Sequence, residues 1–492
     1  MPLGDTPKNE CTVTYSPVYS YSGKSCAYSP DGKHVLFTNG KEVHIVSTAT
    51  QMVEFNLFCS DRVDYAEWSP NSLLLLCVVK RNNTIEVFSI ADLSWNCAFQ
   101  NEDGSILSVR WAMDNVHILS LNDLGLQTVV WSIRDTRVYL LPGIRDLHNA
   151  CAFSSDGKWL ALLQRKSVAS HKQQDSVCLI LTTNWTCAHS FDISTVQASS
   201  IHWSYRDTYL IIRDHPLYPH YFLYSLDGTL CFSSLDARST THASKDVSND
   251  AIKDTSNDAI KDTSLGFCSV CVASSLPLFC VGGCEGLLQV VDSDRLLLLR
   301  ELCVFSSMGA QNTLVCTERP KQEVLERWRR EHPRKKEEPP SAVEKTIMGC
   351  PGAFFFEMET CAPTAAATTA VMNRLGSVKD IGVHQIAFSH DGRFIAWKEN
   401  ARPSMLWVWD VKRDCLLTNV VFVSPVVAFQ WSPIECRLAI LTSNQTLYFW
   451  KQGELVWSLL PNRIDGLRSL NWNASGKELL LIGLDSYQLC TL

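Results

Sequence analysis

One phrase returns again and again along the chain, and it limits the fold more than any other feature. "CAYSPDGKHVL" (26–36) comes back as "EWSPNSLLLLCVV" from Glu67, "RWAMDNVHILSL" from Arg110, "AFSSDGKWLALL" from Ala152 and "HWSYRDTYLIIR" from His202. It comes back again as "AFSHDGRFIAW" from Ala387, "QWSPIECRLAIL" from Gln430 and "NWNASGKELLLI" from Asn471. A ninth, weaker copy, "CSVCVASSLPLFCVGG" from Cys268 to Gly283, lies between the two sets. The aromatic before the turn is Tyr28, Trp68, Trp111, Phe153 and Trp203, then Phe388, Trp431 and Trp472, with 40 to 50 residues between successive copies in each set. Ser-Pro-Asp-Gly at 29–32 supplies a fixed φ at Pro and a positive φ at Gly, which closes a hairpin.

Downstream of each turn comes a second alternating run, such as "KEVHIVS" (41–47), "TIEVFSI" (84–90) or "MLWVWDV" (405–411). Period-two alternation is the mark of strands. A 40-residue unit of strands and turns reads as a propeller blade, because one small twisted sheet cannot bury both of its faces alone. The expected fold is therefore all-β, a propeller with about nine blade-like repeats in one large ring; seven blades with appended units is the alternative. The pattern resembles WD40 repeats, with the Trp-Asp pair itself kept at Trp409 and Asp410 and the usual Gly-His opening missing.

This reading divides the chain. Residues 1–20 are expected to close the last blade, because that copy ends after its third strand and "CTVTYSPVY" (11–19) is an unclaimed alternating run. Blades 1–5 occupy 21–239, a degenerate blade 6 occupies 265–299, and blades 7–9 occupy 380–492. Two stretches break the rhythm. Residues 240–264 include a period-eight repeat, "KDVSNDAIKDTSNDAIKDTS", with almost nothing to bury, and are expected to be a disordered insertion. Residues 300–379 read as an irregular insertion with strand-like pieces at 312–318 and 352–360 and a short helix from Lys321 to His332, stopped by Pro333. In that helix Glu323 to Arg327 and Glu326 to Arg330 have i,i+4 spacing. Trp328, Arg329 and Arg330 are the candidate partner anchors, because exposed Trp and Arg are favoured at interfaces.

The remaining features narrow the function. A net charge of −7 does not suit a chain devoted to nucleic acid, and the basic run around the helix is almost balanced by acidic residues. No leader-like segment and no apolar run of roughly 18 residues is visible, so a soluble intracellular protein without membrane contact is expected. Of the 20 cysteines, most fall in or beside strand runs, where free Cys packs as a small hydrophobe. Cys268, Cys271, Cys280 and Cys284 have ligand-like spacing, but along successive strands they need not converge, so no metal site is expected. No phosphate-binding loop, nucleophile elbow, metalloprotease helix or dinucleotide fingerprint occurs. His44, His117 and His202 lie in strand-like runs and read as structural. The chain is expected not to be an enzyme, with no catalytic residues and no cofactor.

The wording of the repeats carries a family resemblance. "YSPDGK" at Tyr28, "VDYAEWSPNSLLLLCVVKRNNTIEVFSI" from Val63, "DIGVHQIAFSHDGRFIAWKENARPSMLWVWDV" from Asp380 and "SPVVAFQWSPIECRLAILTSNQTLYFW" from Ser424 resemble the family of WD repeat-containing protein eight. These are centrosomal and spindle-pole WD40 proteins, also named for a gene lying antisense to a p53-family gene. The resemblance implies a non-enzymatic scaffold in the cytoplasm and cytoskeleton, at the centrosome, spindle pole or basal body. It further implies a coiled-coil adaptor of centriolar satellites as partner, other microtubule-organising proteins around it, and roles in minus-end anchoring, spindle organisation and cilium assembly. The second reading is a large propeller of the translation initiation factor type, binding the ribosome or RNA. Such a protein should expose an unbalanced basic face.

Overall fold

In the computed structural model, residues 13–22, 25–102, 104–123, 127–135, 137–168, 172–235, 266–303, 314–331, 354–360 and 382–492 are described. The period-eight repeat lies outside them. Among the described residues the strands form nine sheets, each with four consecutive chain strands or, in the last, three plus the amino-terminal segment. The first strand of each sheet is the innermost: Cys26–Tyr28, Tyr65–Trp68, Ile106–Trp111, Cys151–Phe153, Ala198–Trp203, Phe267–Val272, Gln385–Phe388, Val426–Trp431 and Ser469–Trp472. The fourth strand is exposed at the rim, as in Asn96–Gln100 of blade 2 and Thr186–Asp192 of blade 4. Strands two and three are almost wholly buried, which accounts for the continuous apolar runs "LLLCVV" and "LAILT" where simple alternation would leave polar residues. The molecule is an all-β, nine-bladed propeller in one ring.

The recurrent phrase has two structural jobs. The first is the turn. In blade 1 Ser29 Oγ donates to Asp31 Oδ1 (2.6 Å) and accepts the His34 N–H (3.0 Å), while the Gly32 N–H reaches the Ser29 carbonyl. Blades 4 and 7 repeat this with Ser154 and Asp156, and with Ser389 and Asp391. Gly32 has φ +73°, and a Cβ there would strike the Asn473 side chain of blade 9, so the position excludes larger residues twice over.

The second job is the seam between blades. Trp111 Nε1 donates to the Glu67 carbonyl (3.2 Å), Trp203 to Ala152 (2.9 Å), Trp431 to Ala387 (3.0 Å) and Trp472 to Gln430 (2.9 Å). In each case an indole reaches the inner strand of the preceding blade at the residue before that blade's own aromatic. Tyr28, Phe153 and Phe388 keep the apolar body without this donor. Trp68 Nε1 is buried without a partner. Trp409 is buried, and Asp410 serves the turn that follows it. The Asp410 carboxylate accepts the Lys412 and Arg413 N–H groups and the Arg393 guanidinium, fixing that turn of blade 7.

The ring closes through the two ends of the described chain. Thr14–Tyr15 and Tyr19–Ser20 both pair antiparallel with Ser486–Thr491, the third strand of blade 9. Ser16 Oγ accepts the Leu489 N–H, Gln488 Nε2 donates to the Ser16 carbonyl (2.7 Å), and the Tyr21 hydroxyl donates to the Gly483 carbonyl (3.0 Å). On the turn face Asn473 Nδ2 donates to the Gly32 carbonyl (2.9 Å), tying blade 9 to blade 1.

Within residues 300–379, the described residues 300–303, 314–331 and 354–360 form regular elements. Residues 300–303 finish the outer strand of blade 6, Leu297–Cys303. Leu314–Pro320 then pairs parallel with the outer strand of blade 7, Cys415–Val421, and antiparallel with Phe354–Thr360, so blade 7 becomes a six-stranded sheet. The helix between these two strands spans Lys321–Glu331.

Two stability outcomes follow. Trp431→Phe leaves the Ala387 carbonyl without its donor and is expected to cost about 1–2 kcal/mol, whereas Trp68→Phe removes an N–H that has no partner and should cost clearly less; thermal melts of the two variants side by side make the comparison. Deleting residues 1–20 strips the outer strand from blade 9, and the melting temperature is expected to fall markedly.

Candidate interaction site

A rigid ring presents three kinds of surface: the turn face, the opposite face and the rim. Along the inner strands the residue before each aromatic points to the opposite face of the sheet and lines the wall of the next seam: Arg110 Nη1 donates to the Leu147 carbonyl (3.4 Å) and Gln430 Oε1 accepts the Trp472 N–H (2.9 Å). Glu67, Arg110, His202, Gln430 and Asn471 occupy such positions and are only partly buried. Burial pushes the Glu67 carboxyl up to about 7 against the opposing pull of the Trp111 amide, Arg110 and Tyr65. Burial, helped by the nearby Arg213 charge, pushes the His202 imidazole down to about 4 and keeps it neutral at physiological pH. A 510 Å³ cleft runs from this wall to the turn face, lined by Arg110, Phe153, His202, Tyr205 and Arg206 among others. Arg206 lies over the Tyr205 ring (5.0 Å) and Arg110 over that of Phe153 (5.7 Å).

On the opposite face a 650 Å³ cleft lies among blades 3, 4 and 5, with Arg145, Gln164, Arg165, Asp175 and His215 in its walls. Asp175 is committed to holding the loop before blade 5, accepting from the Thr195 hydroxyl (2.8 Å) and the Ala198 N–H (2.6 Å). Both clefts mix charges of either sign, and in the first the Ser155 hydroxyl donates to the Asp207 carboxylate.

The rim of blade 7 is the most distinctive surface. Its added strand is held by parallel pairing, Leu314 with Thr418 through Thr317 with Val421. It is also bolted to blade 8: the buried Glu318 carboxylate accepts the Tyr448 hydroxyl (2.5 Å) at one oxygen and the Val423 N–H (2.8 Å) at the other. Burial raises the Glu318 pKa, opposed by those two hydrogen bonds. The helix Lys321–Glu331 packs against this hairpin through Val324, which is 5% exposed. Arg329 and Arg330 are exposed on it, and the side chain of Trp328 lies outside the described residues. Glu323 meets Arg319 (3.1 Å), a residue of the strand before the helix, and Arg330 Nε donates to the Glu326 carbonyl (3.3 Å). The three candidate anchors thus sit on one helix fixed to a sheet edge, not on a free loop.

The remaining sequence candidates are placed as follows. The aromatic anchors fill the seams between blades: the tryptophans are buried, while Tyr28, Phe153 and Phe388 are half-buried, Phe153 in the wall of the first cleft. His44 pairs with Asn56 (2.6 Å), and His117 with Asp114 (2.5 Å). Cys271 stands opposite Cys280 in the strand register, and the Cys268 thiol donates to the Val383 carbonyl (3.1 Å). Sequence reasoning missed Glu318 and the two clefts. Glu318 follows "NTLVCT" as one more polar residue of an insertion, and only its burial against blade 8 sets it apart.

No protein-family model matches the chain. Over 486 residues, 98% of the chain and 96% of the relative, it is 25% identical to the WD repeat-containing protein WRAP73 of Mus musculus. Among solved structures it is similar to the C-terminal WD40 domain of Sif2, with a TM-score of 0.46 and 10% identity over 98% of both chains. It is also similar to the β-propeller domain of Myceliophteria thermophila Cps50 (Swd1), with a TM-score of 0.39 and 11% identity over 90% of this chain and 99% of that one.

The buried Glu67 carboxyl gives a pH prediction. With its pKa raised on folding, Glu67 holds a proton in the folded state that the unfolded chain has already lost. Its contribution is therefore complete below the unfolded value and is lost as pH rises through about 7. Relative to the parent, Glu67→Gln is expected to gain melting temperature between about pH 5 and 8, read from paired melts across that range.

Proposed function

The chain is a WD-repeat protein, and on that premise we propose that it is a non-enzymatic scaffold of the centrosome, spindle pole or basal body. It is held there by a coiled-coil adaptor and supports microtubule minus-end anchoring, spindle organisation and cilium assembly. The observation that carries this reading is similarity along almost the whole chain to a mouse WD repeat-containing protein, joined to the repeat wording quoted above. The fold supports it physically. A nine-bladed ring offers two faces and a rim that hold several partners at fixed separations, and WD40 propellers are typically protein-interaction scaffolds.

Recruitment through an adaptor, not through the microtubule lattice, follows from electrostatics. Tubulin's surface is acidic, this chain carries −7, and the Arg-bearing helix on blade 7 is interleaved with Glu323 and Glu326. The contact must then come from a desolvated patch, for which the rim helix with Trp328, Arg329 and Arg330 is the nominee. Combining Trp328→Ala with Arg330→Glu is expected to weaken co-purification of the adaptor while leaving the melting temperature within about a degree or two, as surface changes do. Tagged protein spread evenly through the cytosol at every stage of the cell cycle, or protein that pellets with bare microtubules, would overturn the reading.

A further inference from the structure

At three seams neighbouring blades are stitched on the turn face by the same contact. The fourth residue after a blade's aromatic offers a side chain to a backbone N–H in the turn of the blade before it. Ser72 accepts from Asp31 (2.9 Å), Asn115 from Asn71 (2.7 Å) and Asp207 from Ser155 (2.8 Å). At the seam of blades 7 and 8 the equivalent residue, Glu435, is turned instead to Lys451 (3.1 Å) and Arg437 (3.3 Å). There the Cys436 side chain faces the turn of blade 7, where His390 stands in place of the proline found at position 30.

We propose that this seam is a zinc-binding site formed by His390, Asp391 and Cys436. One ligand atom from each, an imidazole nitrogen, a carboxylate oxygen and the sulfur, all lie within 4.8 Å of one another. Tetrahedral zinc, with bonds near 2.0–2.3 Å, sets its donors about 3.5 Å apart, so a rotamer adjustment of about 1 Å at the two exposed side chains closes the set. The turn already holds one carboxylate oxygen still: Asp391 Oδ1 accepts from Ser389 Oγ (2.6 Å) and from the Arg393 N–H (3.0 Å). Thiolate with imidazole and carboxylate is a donor set that favours Zn²⁺ over Mg²⁺ or Ca²⁺, which take oxygen alone. Burial and the Asp391 charge push the Cys436 thiol up to about 11, so it is protonated without metal. On binding the S–H bond breaks, the S–Zn bond forms and the proton leaves to solvent; water fills the fourth position. A metal here would replace with coordination the stitch that hydrogen bonds make at other seams.

The test uses the full chain, reduced and metal-free, titrated with Co²⁺ and then Zn²⁺. The expected result is a thiolate-to-cobalt charge-transfer band that Zn²⁺ abolishes, and a melting temperature that rises with Zn²⁺. Cys436→Ser should lose the band, and Cys436→Ser and His390→Ala should each weaken binding about tenfold or more. Without metal both variants should melt within about a degree or two of the parent; if Cys436→Ser does not, His390→Ala alone decides. A band that persists in Cys436→Ser, or a metal affinity unchanged in His390→Ala, puts the metal on other cysteines and overturns the proposal, as does the lack of any band in the parent.

Discussion

The fold depends on what happens where one small sheet meets the next. A single four-stranded blade leaves two apolar faces in water, and only a neighbour on each side removes them. The aromatic at the end of each inner strand does most of this work. Burying a tryptophan of about 200 Å² is worth roughly 5 kcal/mol at 25 cal/mol per Å², against about 1 kcal/mol for the indole hydrogen bond. The burial drives blade to blade, and the hydrogen bond chooses the register by naming one carbonyl on the preceding strand. Where that residue is Tyr28, Phe153 or Phe388 the drive is kept and the specific bond is given up.

This explains which parts of the architecture could be read from sequence. The aromatic, the Ser-x-Asp-Gly turn and the alternating run after it are all local, within about a dozen residues, and each has one physical meaning. Nine repetitions of a local signal amount to a global fold. The added strand of blade 7 carries no such signal. Leu314 pairs with Thr418 in a parallel ladder, without a hairpin turn to announce it, so "NTLVCTE" could be recognised as strand but not assigned a place. The predicted helix was legible, its described residues spanning Lys321–Glu331, because Pro333 and the charge spacing are again local. The contact of Glu323 with Arg319 of the preceding strand is one that the helical spacing could not announce.

The candidate sites divide the same way. Trp328, Arg329 and Arg330 stood out as a run, and the structure adds what the run could not say, that the helix rests on a strand anchored through Glu318 to blade 8. His390 and Cys436 are inconspicuous in sequence because they belong to different repeats, each looking like an ordinary departure from the Ser-Pro-Asp-Gly wording. They become a pair only when adjacent blades bring adjacent turns together. Clusters across seams are built from residues about one repeat apart, so a search for closely spaced ligands passes over them while noticing the four cysteines of blade 6.

The clasp between Thr14–Tyr15 and Ser486–Thr491 sets an order of events during synthesis. Thr14 leaves the ribosome 477 residues ahead of Thr491, its partner in the ladder. At roughly 5–20 residues per second this is a wait on the order of tens of seconds. Through that interval blade 1 lacks the neighbour that covers Val35 and Phe37, and the growing arc has an apolar face at its open end. Eight blades can form one after another as they emerge, each on the one before, but the ninth must catch a strand made first. The ring is therefore completed in a single late step that joins blade 9 to a segment made 477 residues earlier, and until then the arc stays open between blades 1 and 9.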